Sequence, residues 1–220
     1  MVPTLQAMVQ IHDNHGMRSG DICNMRVGEI DRSQVHKTGF WYYTPASHKT
    51  QKKTGKKTVF PLNEYEQKMI APYLEGKTPE SAVFSPRTAM REHAALRRAN
   101  RKTPSPTSEA TEKTEREYSE FYNPDSYRKA IKYAIAKANR QLPEDKRVPH
   151  WFPYLLRHTA ITRESLENGK DAAQALAGHT SPRMTENYDH SQLRKREELS
   201  RKREESTRNK RLQKPMVEVK

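Results

Sequence analysis

Apolar residues recur at helical spacing near the start of the chain. Leu5, Met8, Val9 and Ile11 can share one face, which predicts a short helix over 3–13. Asn14, His15 and Gly16 break that pattern as a turn, and Arg18 follows directly. Ser19 is placed to cap a second short helix through Asp21 to Met25, so Arg18 is expected at a helix start. Beyond this point the period changes. Val27 to Ile30, GFWYYTPA at 39–46 and KTVFPL at 57–62 read as three short strands, the last two being rich in aromatic and β-branched residues. Polar KTQKKTGKK between the last two reads as a hairpin tip containing Gly55, with Lys49 at its start. Asn63 with Glu66 then forms a capping box for a helix that includes Met69, Ile70, Tyr73 and Leu74.

Residues 102–123 combine Pro, Ser, Thr and alternating charge without apolar periodicity, which predicts a surface insertion or flexible loop. Order resumes at Pro124, where Tyr127, Ile131, Ala134, Ile135 and Ala138 mark an amphipathic helix. PHWFPYLLRHTAITRESLENG reads as a proline-punctuated helix start, with the helix stopping at Gly169. Asp171 with Gln174 is expected to cap a short DAAQALA helix that Gly178 ends, and Ser181 with Pro182 to start another that carries Tyr188 near its end. The remaining SQLRKREELSRKREESTRNKRLQK is charged almost throughout, and reads as a solvated helix or as an arm that docks elsewhere. No internal repeat is present in the sequence.

Composition adds a partner to this picture. The 220 residues suffice for one good-sized domain, and a hydrophobic content of 33% places the long polar stretches outside its core. A formal charge of +14 and a pI near 9.8 point to a polyanion, because clustered Lys and Arg displace condensed counterions from phosphates. One cysteine excludes an intramolecular disulfide, and Cys23, beside Ile22, reads as a small buried hydrophobe. Nowhere do eighteen apolar residues run together, and the N-terminus carries no basic region followed by a sustained apolar run. A protein of the cytoplasm, or of the nucleoid in a bacterium, with no membrane contact, is therefore expected. His12, His15 and Cys23 lack any paired metal-ligand spacing, which argues against a structural zinc site.

Three blocks carry the chemistry: GMRSGDICNMRVGEID, the ASHKT…KKTVFPL hairpin, and YLLRHTAIT…AGHTSPRMTENYDH. In order and spacing they resemble the catalytic domain of the tyrosine recombinases, the phage integrase family. The resemblance covers most of residues 10 to 190, and is weak between 80 and 145. It implies a mixed α+β, mostly helical fold with a small three-stranded antiparallel sheet. The domain would span 1–190, with 102–123 as a flexible insertion and 191–220 as a charged C-terminal arm. Arg18 lies so near the start that a separate helical domain, of the kind with which such recombinases clamp the other face of DNA, is not expected within these residues, which implies either a catalytic fragment or dependence on a partner.

The resemblance also implies roles. The family's first catalytic arginine matches Arg18, and the acidic residue three places on matches Asp21; its hairpin lysine matches Lys49. The second arginine matches Arg157, the late histidine His179 and the nucleophile Tyr188. One departure is plain. Many members carry histidine or lysine three residues before the second arginine, and this chain has Tyr154, which can donate a hydrogen bond but is a poor base with an ordinary pKa of about 10.

The chemistry can be argued independently of the family. A phosphodiester gathers negative charge on its equatorial oxygens as it becomes five-coordinate, so two planar guanidiniums bind that state better than the ground state. A phenol must lose its proton to attack, and a neighbouring base or cation helps it. The departing 5′ oxygen needs a proton, which a hairpin lysine can deliver. Neither metal nor cofactor is required. Lys52, Lys53, Lys56 and Lys57 share the tip with Lys49 and are expected to touch the DNA backbone. The expected activity is site-specific cleavage and rejoining of double-stranded DNA, as in integration or excision of a mobile element. A homo-oligomer, a tetramer on DNA joined through the C-terminal arm, is the expected assembly. Two other readings are a DNA-binding module of the same fold with impaired catalysis, which Tyr154 favours, and a type IB topoisomerase, which the short GHT…Y spacing disfavours.

Overall fold

Leu5, Met8, Ile11, His12 and His15 fall on one buried side of α1 (Pro3–His15). Pro3 sits in its first turn, and Gly16 ends it at φ 52°, ψ 24°, a left-handed conformation that glycine enters without a Cβ penalty. The helix thus runs two residues further than apolar spacing alone predicts, because His15 packs inward. In this computed structural model the described residues are 1–47, 55, 57–102, 117–178, 185, 193, 196–197 and 200–202.

A short α2 (Ser19–Cys23) follows. Arg18, and not Ser19 as expected, is the residue that precedes it; Asp21 reaches back, and its carboxylate accepts the Arg18 N–H at 3.1 Å. The segment after it also differs from expectation. Val27–Glu29 forms a 3-10 turn, and the strand β1 is only Ile30–Asp31. Residues 25–28 instead pair outward through backbone bonds, Val83 N–H to Met25 O, Val27 N–H to Ser81 O and Gly28 N–H to Pro79 O. A helical turn α3 (Val35–Thr38), absent from the sequence expectation, leads through Gly39 at φ 78° into β2 (Trp41–Tyr43). With β3 (Phe60–Leu62) these strands form an antiparallel sheet in the order β1-β2-β3, in which Ile30 faces Tyr43 and Tyr43 faces Phe60. Pro61 is tolerated because β3 is an edge strand.

The capping box at Asn63 and Glu66 is present and opens α4 (Glu64–Ile70). An unexpected helix, α5 (Pro86–Ala99), then lies against α1. Ser85 caps it, and Glu92 on it accepts bonds from Thr4 N–H at 2.9 Å, Thr4 Oγ1 at 2.8 Å and the Tyr73 hydroxyl at 3.1 Å. The predicted amphipathic helix is α6 (Pro124–Asn139), capped by Asn123 with Ser126 and packed on α2 through buried Tyr127 and Ile131. Most of the expected 102–123 insertion, residues 103–116, lies outside the described residues.

Then come α7 (Tyr154–Glu167) and α8 (Lys170–Ala177). Gly169, at φ 93°, turns the chain between them, so α8 starts at Lys170 and Asp171 lies inside its first turn rather than at its cap. Gly178 ends α8 in the left-handed region, as expected. The expected helix from Ser181 lies outside the described residues except at Thr185, which is helical.

The chain divides into two units, Met1–Arg157 and His158–Lys220. In the first, one core joins α1, α2, the sheet, α4, α5 and α6 through residues such as Met8, Ile11, Ile22, Tyr43, Leu62, Phe84 and Tyr127. In the second, Ile161, Ala173 and Ala177 form a small cluster. The architecture is mixed α+β, mostly helical, with a small three-stranded antiparallel sheet, in line with expectation. Among the described residues, no helix is long and apolar enough to cross a membrane.

Candidate functional site

Arg18 occupies the junction between Gly16, which closes α1, and α2. Its backbone is held on both sides: its N–H goes to Asp21 Oδ2 at 3.1 Å, and its carbonyl accepts the Asp21 N–H at 2.9 Å. Asp21 is 7% exposed, and its own carbonyl accepts the Tyr43 hydroxyl at 2.8 Å, which ties α2 to the middle strand. Burial pushes the Tyr43 phenol far above its ordinary pKa, so it stays a neutral donor. Asp21 thus holds the backbone of Arg18. Cys23, at the end of α2, is 1% exposed, and burial raises its pKa to about 12, which makes it an inert core thiol.

A cleft of about 590 Å³ opens beside this junction. Arg18, Asn24, Arg26, Glu29 and Ser47 contribute polar groups to its lining, and Asp21 and Tyr43 form part of its wall. The Glu29 carboxylate bonds backbone amides, accepting from Arg26 N–H at 3.0 Å and from Ala46 N–H at 2.9 Å. It thereby anchors the chain leaving β2 to the turn after α2.

Arg157 lies in the first turn of α7 and is 3% exposed. Its Nη1 donates to the carbonyl of Gly16 at 2.5 Å across 141 residues of sequence. Consecutive Cα atoms are about 3.8 Å apart, so Gly16 and Arg18 are within about 8 Å of one another. The tertiary fold therefore brings the second arginine against the same turn that carries the first. Arg18 lines the open cleft, while the Arg157 guanidinium is buried against the turn behind it.

The remaining predicted residues are distributed as follows. Tyr154 opens α7 and is 41% exposed. Lys57 is exposed just before β3. Lys49, Lys52, Lys53, Lys56, His179 and Tyr188 lie outside the described residues. No cluster of His, Cys, Asp and Glu with metal-binding geometry occurs among the described residues.

Two residues of the site escaped the sequence reading. Glu29 shows no signal in sequence beyond an acidic residue near a turn. His12 has no metal-ligand spacing in the sequence, and its one signal is its place on the apolar face of α1, which marks a buried polar role. Its Nε2–H donates to the carbonyl of Met17 at 2.9 Å, directly beneath Arg18. Burial lowers the His12 pKa to about 4, and the Arg157 guanidinium nearby adds to that effect while the bond to Met17 opposes it.

Comparison with known proteins bears on the family and the fold. The sequence profile of the Phage integrase family matches residues 3–195. The structure is similar to that of XerA recombinase, with a TM-score of 0.52, 18% identity, and coverage of 90% of this chain and 57% of that one. It is also similar to the Tn1549 transposon integrase (aa 82–397) in complex with circular intermediate DNA, with a TM-score of 0.51, 15% identity, and coverage of 84% and 53%. At such identities the likeness is one of fold. The chain spans a little over half the length of either structure. No curated protein matches it.

Proposed function

The chain belongs to the phage integrase family, and on that premise we propose that it is a site-specific recombinase that cuts and rejoins DNA through a covalent tyrosine intermediate. The observation that carries this reading is the bond from Arg157 Nη1 to Gly16 O, which gathers the two arginines at one turn. In the proposed reaction the Tyr188 oxygen attacks the scissile phosphorus, forming a P–O bond to tyrosine as the P–O5′ bond breaks. His179 assists removal of the phenolic proton, and Lys49 protonates the departing 5′ oxygen. Arg18 and Arg157 hold the non-bridging oxygens as their charge grows. The 3′-phosphotyrosine retains the bond energy, so a 5′ hydroxyl from a second strand reverses the step without ATP. Lys52, Lys53, Lys56 and Lys57 would hold the neighbouring backbone, and protomers would assemble as a tetramer on DNA through the C-terminal arm.

A suicide substrate, nicked beside the scissile bond and carrying the repeats that flank the gene, tests the proposal. The wild-type chain should form a covalent protein–DNA adduct, and Tyr188→Phe should abolish the adduct while binding DNA as before. Absence of adduct with the wild type overturns the enzyme reading. Bound but uncut DNA would then favour the second reading, a DNA-binding module with impaired catalysis. The exposed Tyr154, where many relatives have a basic side chain, is the feature that speaks for it.

A further inference from the structure

The turn between α1 and α2 is held at every step from Gly16 to Arg18, and one residue supplies two of the ties. The main-chain carbonyl of His12 accepts the Gly16 N–H at 3.0 Å, while its ring Nε2–H donates to Met17 O at 2.9 Å. Just beyond, the Gly16 carbonyl receives Arg157 and the Arg18 N–H goes to Asp21. His12 and Met17 are both wholly buried, so no solvent replaces the imidazole as a donor to Met17. A carbonyl can only accept, so Nε2 must carry the proton, and a neutral ring then has a bare Nδ1. That atom is buried and has no hydrogen-bond partner in the structure, which is compatible with this tautomer because a bare nitrogen has no proton to place. The Tyr127 ring packs against the imidazole, with the two ring centroids 5.9 Å apart and the planes tilted by 36°.

The residue type is therefore constrained on three counts. An aliphatic side chain would leave the Met17 carbonyl buried and unpaired. A cationic side chain would stand beside the Arg157 guanidinium, and Asp13, on the same helix, is the acidic group whose field reaches the ring. A neutral imidazole, donating from its far nitrogen, satisfies the carbonyl without adding charge. His15, one turn edge further on, does something else: its Nε2 lies 3.0 Å from Glu66 Oε1 and joins α1 to α4.

We propose that His12 is a positioning residue for DNA cleavage, which locks the Gly16–Arg18 turn from within the core and so sets how Arg18 and Arg157 present their guanidiniums to the phosphate. This inference rests on the recombinase reading above. His12 touches no reacting atom, and its proton is neither given nor taken during the reaction.

Two amide substitutions separate the ring nitrogens. In His12→Gln the amide nitrogen can reach the position of Nε2, whereas in His12→Asn it reaches only that of Nδ1. With the full chain at saturating protein, single-turnover adduct formation on the nicked substrate should stay within about threefold of wild type for His12→Gln. It should fall by about tenfold or more for His12→Asn, with DNA affinity unchanged, because a displaced guanidinium harms the transition state more than the ground state. The residual rate should keep the wild-type pH profile. Equal rates for the two variants, or a changed pH profile, would overturn the proposal. If the wild type forms no adduct, the recombinase reading fails first, and the geometry is still judged by ¹⁵N spectra of the imidazole. A neutral Nε2–H tautomer at pH about 5.5 is expected, and an Nδ1–H or charged ring there overturns the positioning role.

Discussion

Individual side chains at the site act mostly on the backbone. Asp21, Glu29, His12 and Arg157 each bond a main-chain group, and Asp21, His12 and Arg157 together over-determine a turn that contains a left-handed glycine. Gly16→Ala should therefore be harmful twice over: a Cβ at φ 52° costs about 1–2 kcal/mol, readable by chemical denaturation, and any relief of that strain moves Arg18. His12 has a second consequence, for stability against pH. Its folded pKa of about 4 lies below the ordinary value of 6.5, so the unfolded chain takes up a proton that the folded chain refuses. The associated stability is complete above pH about 6.5 and is lost as pH falls toward 4, amounting to at most about 3 kcal/mol. Urea melts between pH 7 and 4.5 should show this decline, and His12→Gln should flatten it. Glu66 works in the same direction at lower pH. Burial opposes its ionisation, but bonds from His15, Asn63 and Asn14 outweigh it and hold its pKa below the usual range.

Whole elements differ in how plainly the sequence announces them. The helices with an apolar stripe and a cap, α1, α4 and α6, were legible because both signals operate within a turn or two of chain. The three strands were placed close to their observed positions but too long, since only two or three residues of each pair in the sheet. Helix α5 was not legible. Only Ala89 of its residues is buried, so it has almost no apolar face, and it is fastened instead by Glu92 to Thr4 and Tyr73. Glu92→Ala should accordingly lower stability by about 1–3 kcal/mol, because Thr4 N–H and the Tyr73 hydroxyl lose their acceptor. Thermal unfolding followed by circular dichroism measures this. A shift no larger than that of an exposed α5 substitution such as Arg97→Ala would show that packing alone holds the helix.

At the scale of the molecule, charge and fold divide the work. A net charge of +14 acts at a distance and needs no particular geometry. DNA affinity, measured by fluorescence anisotropy, should therefore fall at least about tenfold between about 50 and 200 mM salt, linearly on logarithmic axes. Affinity unchanged over that range would exclude the expected backbone contacts. The inventory of chemical groups, the caps, the longer amphipathic helices and membership of a family were determined by the sequence itself, because each is written in residue types and short spacings. What only the tertiary structure decided is which of those groups meet. Arg157 reaches a carbonyl 141 residues away, and His12 turns inward to a carbonyl that a flexible chain would leave to water. Such contacts depend on closing long loops around a shared core, and that closure is set by the packing of every element together.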